Sequence, residues 1–184
     1  YLYGEAMTHI LGCVGRINDR DVERLKKEEK FANYSGSTDM GKLGIERYYE
    51  EQLHGTTGFE EVEINNRGKV IRKLREQPAT AGKSIHLTID FTLQRYIMSL
   101  LSGQKGAVVV LDPKDNSVLA MVSTPSYDNN LFVDGISSSD YKRLLEDPTR
   151  PLYSRATQGV YPPASTVKPF VAVAALTEGV ITPN

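Results

Sequence analysis

The sequence predicts an α+β fold in which helices pack against antiparallel sheet. Apolar and charged residues alternate over 59–74 on either side of a turn at 65–68, as expected of a β-hairpin. Two continuous apolar runs, 107–111 and 118–122, flank a second short turn and predict a buried hairpin. Strands joined by so few residues cannot run parallel. Segments with apolar residues every three or four positions predict helices around these hairpins.

The segment ahead of the first hairpin contains two predicted helices. Asn18 is a typical N-cap residue, and the charged helix after it turns Leu25 inward. A single helix over 43–53 should pack on one side only. Glu46 and Glu50 on that helix could be paired catalytic carboxylates, although a solvated or salt-bridged helix face is the more common origin of such spacing.

The chain between and after the hairpins is predicted from its turn and cap residues. Proline and glycine without periodicity predict a linker at 77–83. We then expect a strand at 84–89 and a helix that Asp90 caps. The inward face of this helix is expected to comprise Leu93, Ile97, Leu100 and Leu101. Beyond the second hairpin we expect a short helix over 137–147 and an irregular segment over 148–163.

The last apolar segment, 165–176, predicts a buried helix that begins at or near Ser165. Lys168 lies three residues further on, so both side chains share one helix face. A lysine among apolar side chains loses its proton more readily, and it can then activate a serine for nucleophilic attack. Amides at the helix N-terminus can donate to the oxyanion of acyl transfer. The alternative is a helix cap followed by a solvated lysine, because Ser-x-x-Lys is frequent by chance.

Composition excludes several classes of function. A formal net charge of −1 over 184 residues gives no basic footprint that would argue for nucleic-acid binding. Cys13 is the only cysteine, which excludes an internal disulfide and a cysteine-based metal cluster. The histidines, His9, His54 and His86, lie far apart without ligand spacing, so we expect neither a metal nor a cofactor. No apolar run reaches the roughly 18 residues of a membrane span.

Five motifs occur in a fixed order along nearly the whole chain. They are Gly41-x-x-Gly44-x-Glu46-x-x-Tyr49 with Leu53-x-Gly55-x-x-Gly58; Leu87-Thr88-Ile89-Asp90 with Leu93-Gln94; Asp112-Pro113 with Ser123-Thr124-Pro125-Ser126-Tyr127-Asp128 and Asn130; Arg155-Ala156 with Gly159-x-Tyr161; and Pro162-Pro163-Ala164-Ser165-Thr166-Val167-Lys168. Together they resemble the class B penicillin-binding proteins, and within these the elongation-specific type.

The resemblance implies a domain organisation and an activity. It implies a partial, non-catalytic pedestal domain over 1–76, a linker at 77–83 and the N-terminal portion of a β-lactamase-like transpeptidase domain over 84–184. The family's enzymes are peptidoglycan D,D-transpeptidases, which implies Ser165 as the nucleophile that attacks the D-Ala-D-Ala bond of a stem peptide. Lys168 would be its base, although the base is disputed in the wider group.

The resemblance also implies partners and a location. β-Lactam antibiotics would acylate the same serine, and membrane proteins of the elongation machinery would be partners. The protein would then work at the periplasmic face of the inner membrane, with its anchor helix outside this chain. An alternative is that residues 1–76 act as an interaction module that docks such a partner. A serine β-lactamase or carboxypeptidase is a third alternative, against which the pedestal-like half argues.

The chain departs from the family pattern in three ways. Ala164 stands where the family usually has glycine, and Ser154 where asparagine is common. The family's Ser-x-Asn and Lys-Thr-Gly motifs do not occur in the sequence. We therefore expect the 184-residue fragment to be inactive. We also expect an exposed sheet edge and an uncovered helix face within 107–184, which would favour dimerisation, domain swapping or local disorder.

Overall fold

The computed structural model describes residues 1–183 and shows helices combined with three two-stranded antiparallel sheets within that range. The strand pairs are β1 (Val14–Arg16) with β2 (Asp39–Gly41), β3 (Phe59–Ile64) with β4 (Val70–Gln77), and β5 (Gly106–Leu111) with β6 (Val118–Thr124). The helices are α1 (Thr8–Leu11), α2 (Asp19–Lys27), α3 (Gly44–Tyr48), α4 (Glu50–His54), α5 (Phe91–Leu100), α6 (Ser138–Glu146), α7 (Arg155–Gln158) and α8 (Lys168–Thr177). The predicted α+β class is confirmed.

The first small core forms around α2. Asn18 caps this helix as predicted, because its side chain accepts a hydrogen bond from the Asp21 amide and the Asp21 carboxylate accepts one from the Asn18 amide. Leu25 on α2 is 3% exposed and packs with Tyr34 and Met40 of the following segments. The cap and this buried leucine together fix α2 against the first sheet.

The predicted single helix over 43–53 is wrong, because the chain breaks at Tyr49 into α3 and α4. At this point α3 approaches β2 closely. A Cβ on Gly41 would lie only 2.2 Å from the Glu46 carbonyl oxygen. Glu50 accepts a hydrogen bond of 2.7 Å from the Gly41 amide, and its other carboxylate oxygen is buried. The expectation that Glu50 lies on a solvated or salt-bridged helix face is therefore wrong. Its side chain instead connects α4 to β2.

Residues 77–83 run back along the first half of the chain. β4 continues to Gln77, Thr80 forms a bridge with Thr56, and the Lys83 amide donates to the Gln52 carbonyl at 2.7 Å. The division into domains around 77–83 stays a prediction.

The predicted strand at 84–89 does not form. Ile85, Leu87 and Ile89 alternate as half-buried residues with exposed neighbours, so the side-chain pattern is present. The backbone contact with β6 is a single hydrogen bond from the Asp90 amide to the Leu119 carbonyl, at 2.8 Å. A β-strand needs a series of backbone hydrogen bonds to its neighbour, and one bond is not enough. Residues 84–89 are therefore not part of the sheet.

The second core lies between α5 and the hairpin of β5 and β6. Asp90 caps α5 as predicted, and Ile97, Ala120 and Val122 form the buried centre. Leu100 was expected to face this core, but it is 59% exposed at the end of the helix. The expected burial of the hairpin is also wrong for one face of β5, where Val109 is 48% exposed. Only the face of β5 towards α5 is covered within residues 1–183.

The segment after the hairpin is more regular than predicted. α6 forms as expected, and the Ser137 side chain accepts a hydrogen bond from the Asp140 amide at its start. The supposedly irregular stretch 148–163 contains the one-turn helix α7. Ser154 precedes α7 and is 8% exposed, so this stretch is anchored in the molecule.

Candidate active site

Ser165 lies in a 3-10 turn, Ala164–Val167, that leads directly into α8. Lys168 is the first residue of α8, so the α-helix begins three residues later than Ser165. Side chains three apart are eclipsed in a 3-10 turn, and the two residues thus remain on one side of the backbone. Pro169 follows at a position where a helix does not need the missing amide. The turn therefore places Ser165 and Lys168 one after the other on the same side of the chain.

The predicted burial of this helix is wrong. Phe170 is 75% exposed and Val173 is 63% exposed, and α8 contains no buried residue. Lys168 is also exposed, and no hydrogen bond joins its amine to the Ser165 hydroxyl among residues 1–183. Apolar composition predicts burial only where a second surface is available to cover the helix, and the described residues provide none. The apolar surroundings that were expected around Lys168 are therefore missing among residues 1–183.

Ala164 adopts the left-handed backbone conformation, with φ of +46°. A Cβ in this conformation approaches a backbone carbonyl oxygen and costs about 1–2 kcal/mol, whereas glycine is free of that cost. In this chain the residue directly before the candidate nucleophile is strained.

The approach to Ser165 is anchored at α7. The Arg155 amide donates to the Ser123 hydroxyl at the end of β6, with a distance of 2.9 Å. The Arg155 guanidinium donates to carbonyls of the preceding turn, including those of Thr149 and Arg150. Ser154, the other departure from the family pattern, accepts a hydrogen bond from the Thr157 hydroxyl. This one-turn helix was not predicted, although Ser154 and Gly159 flank it in the sequence.

The first residues of the chain pack against the second half. The Gln94 side chain on α5 is 1% exposed and donates to the carbonyls of Ala6 and Met121. The Asn129 amide donates to the Gly12 carbonyl at 2.7 Å, again in a buried position. The contacts of Gln94 with Ala6 and of Asn129 with Gly12 were not predicted, because hydrogen bonds between residues about a hundred positions apart leave no periodic signal.

No metal centre or membrane span is found in the range 1–183. The His, Cys, Asp and Glu side chains of this range do not cluster in groups of three or more that could hold a metal ion. Cys13 is a buried free thiol, and its burial raises its pKa. Within the same range, each helix is too short or too polar to cross a membrane.

Two family models match the chain. The penicillin-binding protein dimerisation domain matches residues 1–87, and the penicillin-binding protein transpeptidase domain matches residues 106–184. The chain belongs to the penicillin-binding proteins. Sequence analysis predicted this family from the ordered motifs, and the prediction is confirmed.

Curated relatives extend the similarity over the whole chain. The peptidoglycan D,D-transpeptidase MrdA of Haemophilus influenzae is 82% identical over 184 residues, which are 100% of this chain and 28% of that relative. The protein of the same name from Escherichia coli strain K12 is 66% identical over 184 residues, 100% of this chain and 29% of that relative. The chain thus spans less than a third of the length of these two relatives.

Solved structures show the same fold. PBP2 of Pseudomonas aeruginosa, in complex with WCK 5153, has a TM-score of 0.84 and 45% identity, and the match covers 100% of this chain and 36% of that one. PBP2 of Helicobacter pylori, in a complex with MreC, has a TM-score of 0.86 and 29% identity, with 100% and 33% covered. The predicted class, a pedestal-type domain followed by the beginning of a transpeptidase domain, is confirmed.

Proposed function

We propose that the protein containing this chain is a peptidoglycan D,D-transpeptidase of cell-wall elongation. The observation that carries the proposal is the Ser165–Lys168 pair at the entry to α8, within the segment that matches the transpeptidase domain. Curated relatives with this segment have that activity in their name. A serine followed at one turn by a lysine, ahead of an apolar helix, is suited to forming an acyl-serine intermediate.

The chemistry assigns each residue one task. The Ser165 hydroxyl oxygen attacks the carbonyl carbon of the penultimate D-alanine, while Lys168 accepts the hydroxyl proton. The tetrahedral oxyanion accepts a hydrogen bond from the Ser165 amide, and the peptide C–N bond then breaks as Lys168 passes the proton to the nitrogen of the leaving D-alanine. An amine of a neighbouring stem peptide attacks the ester and gives its proton to Lys168, which returns a proton to the Ser165 oxygen as the ester C–O bond breaks, so the crosslink forms and Ser165 is freed. A β-lactam would acylate Ser165 by the same first step.

The experiment is acylation by a fluorescent penicillin. The full-length protein should be labelled stoichiometrically, and Ser165→Ala should abolish the label. Ser99→Ala, which removes a hydroxyl from α5, should leave labelling unchanged. Absence of label on the full-length protein would overturn the assignment.

We expect the 184-residue chain itself to remain unlabelled under the same conditions. Lys168 is exposed, and no residue of 1–183 covers the site on the side of α8. Labelling of the isolated chain at Ser165 would contradict this expectation.

We propose a second role for residues 1–76, which is to dock a membrane partner of the elongation machinery at the periplasmic face of the inner membrane. The observation that favours it is the hairpin of β3 and β4, because every residue of β4 is exposed and Ile71 and Leu74 are 60% and 51% exposed. A structurally similar protein is known in a complex with MreC.

A pull-down with the partner's periplasmic portion tests this docking role. Ile71→Asp on β4 should weaken capture, because it places a charge on the exposed apolar surface. Leu2→Asp serves as the matched control, since Leu2 is 92% exposed but lies outside the hairpin. Failure of the unmodified protein to bind, or equal loss with both variants, would count against docking through the hairpin.

A further inference from the structure

A small cavity lies between α2, β2 and the two short helices α3 and α4. Tyr34 and Met40 of the first core line it and are 6% and 4% exposed. Its volume is about 240 Å³, which is below the roughly 300–1,000 Å³ of pockets that hold drug-sized ligands. The cavity is thus backed by packed side chains, and its size suits a ligand as small as an amino acid.

Charged side chains of both signs line this cavity in equal number. The three cations and three carboxylates are Arg24, Lys30, Arg47, Glu28, Glu50 and Glu51. The Lys30 amine lies 3.6 Å from the Glu28 carboxylate and 3.2 Å from that of Glu51, so these three groups are engaged with one another. The charged groups left to meet a ligand are therefore Glu50 and the two arginines.

Glu50 brings an unsatisfied carboxylate oxygen to the cavity. One of its oxygens accepts the hydrogen bond of 2.7 Å from the Gly41 amide, whereas Oε1 is buried and has no hydrogen-bond partner within residues 1–183. Burial and the nearby Glu50 charge raise the pKa of the Tyr34 phenol, so this neighbour stays protonated at neutral pH and does not offset the charge. A buried oxygen without a donor is costly, and an ammonium group gives a hydrogen bond about twice as strong as a neutral donor such as water. Glu50 therefore favours a cationic group in the cavity.

Arg24 and Arg47 keep donors available in the same cavity. The Arg24 guanidinium lies 3.6 Å from the Asp21 carboxylate and donates to the Met40 sulfur at 3.6 Å, and a thioether is only a weak acceptor. Arg47 is exposed, and its side chain forms no hydrogen bond or ion pair with the rest of residues 1–183. A guanidinium carries five N–H donors, so both arginines can bind a carboxylate. The cavity therefore provides partners for a negative group as well as for a positive one.

We propose that this cavity binds a free amino acid as a zwitterion, with its ammonium group at Glu50 and its carboxylate at Arg24 and Arg47. An ion of one sign meets like charge in the wall of the cavity, whereas a zwitterion has a partner for each of its charges. The cavity belongs to the segment that matches the dimerisation domain, residues 1–87. The inference goes beyond the acyl-transfer function proposed above and does not depend on it.

The test is a titration of the full-length protein with D-alanine and, separately, with L-alanine, followed by saturation-transfer NMR of the amino acid. At least one of the two should bind saturably. Propionate lacks the ammonium group and ethylamine lacks the carboxylate, so each should bind about tenfold more weakly than alanine or worse, because each loses a charge-assisted contact. The proposal is overturned if neither alanine binds saturably, or if propionate or ethylamine binds as tightly as alanine.

Arg47→Gln places the binding in the cavity, because this exposed side chain has no other partner among residues 1–183 whose loss could unfold the protein. The variant should bind alanine about two- to fivefold more weakly, which is the scale of an exposed charge pair. Arg20→Gln is the matched control, since Arg20 is an exposed arginine of α2 that does not line the cavity. Alanine binding that is equal in the two variants would contradict the proposed site.

Acylation of Ser165 by a penicillin before the titration separates this inference from the proposed function. Alanine should bind equally well to the acylated protein, because the residues that line the cavity all lie between positions 24 and 51. Loss of alanine binding on acylation would place the amino acid at Ser165 and overturn the proposal. If the protein is not acylated but binds alanine in a way that depends on Arg47, the acyl-transfer function fails and the amino-acid site is upheld.

Discussion

At the scale of single residues, Ala164 shows how the backbone constrains the position before the nucleophile. Its φ of +46° is one that glycine adopts without cost. Ala164→Gly should therefore relieve strain of about 1–2 kcal/mol, offset by about 1 kcal/mol because glycine gains freedom in the unfolded chain. We expect a net gain of up to about 1 kcal/mol in the free energy of unfolding, measured by urea denaturation of the chain.

Ala172→Gly is the matched control for this prediction. Ala172 lies inside α8 and is also exposed, but its backbone is helical. Glycine there should lower the free energy of unfolding by about 1 kcal/mol, the usual difference in helix propensity. Equal destabilisation by both substitutions would contradict the account of Ala164.

At the scale of elements, the sequence predicted those structures that local signals define. Asn18 and Asp90 cap α2 and α5 as expected, since each cap bonds to an amide two or three residues away. Both hairpins also form, because a short turn between apolar or alternating segments determines the pairing.

The errors at this scale involve contacts that local periodicity does not report. The break at Tyr49 accompanies the close approach between Gly41 and Glu46, which helical periodicity does not reveal. The strand expected at 84–89 had the right alternation but lacked a ladder partner. For the candidate site, the order of Ser165 and Lys168 along one turn was predicted, whereas the expected burial depended on a covering surface that residues 1–183 do not contain.

At the scale of the whole molecule, buried polar contacts join the first residues of the chain to α5 and to the loop after β6. Gln94 and Asn129 each reach back to carbonyls of the first residues, and Thr8 reaches forward to Tyr127. Each bond satisfies a polar group that would be costly to leave unpaired in the interior. The residues at the start of the chain thus pack around β6, although they lie within the predicted pedestal domain, 1–76.

The same molecule exposes apolar surface on α8 and on the outer face of β5. Phe170 is 75% exposed, Val173 is 63% exposed and Val109 is 48% exposed. Apolar surface of this kind favours association with a second copy, so light scattering of the 184-residue chain should show dimers or larger species as concentration rises. Phe170→Ser should shift the population towards monomer, because it removes the most exposed of these three side chains. Val160→Ser is the matched control at a residue that is 93% exposed but lies outside α8 and β5. A concentration-independent, well-ordered monomer would show that the uncovered apolar faces do not associate.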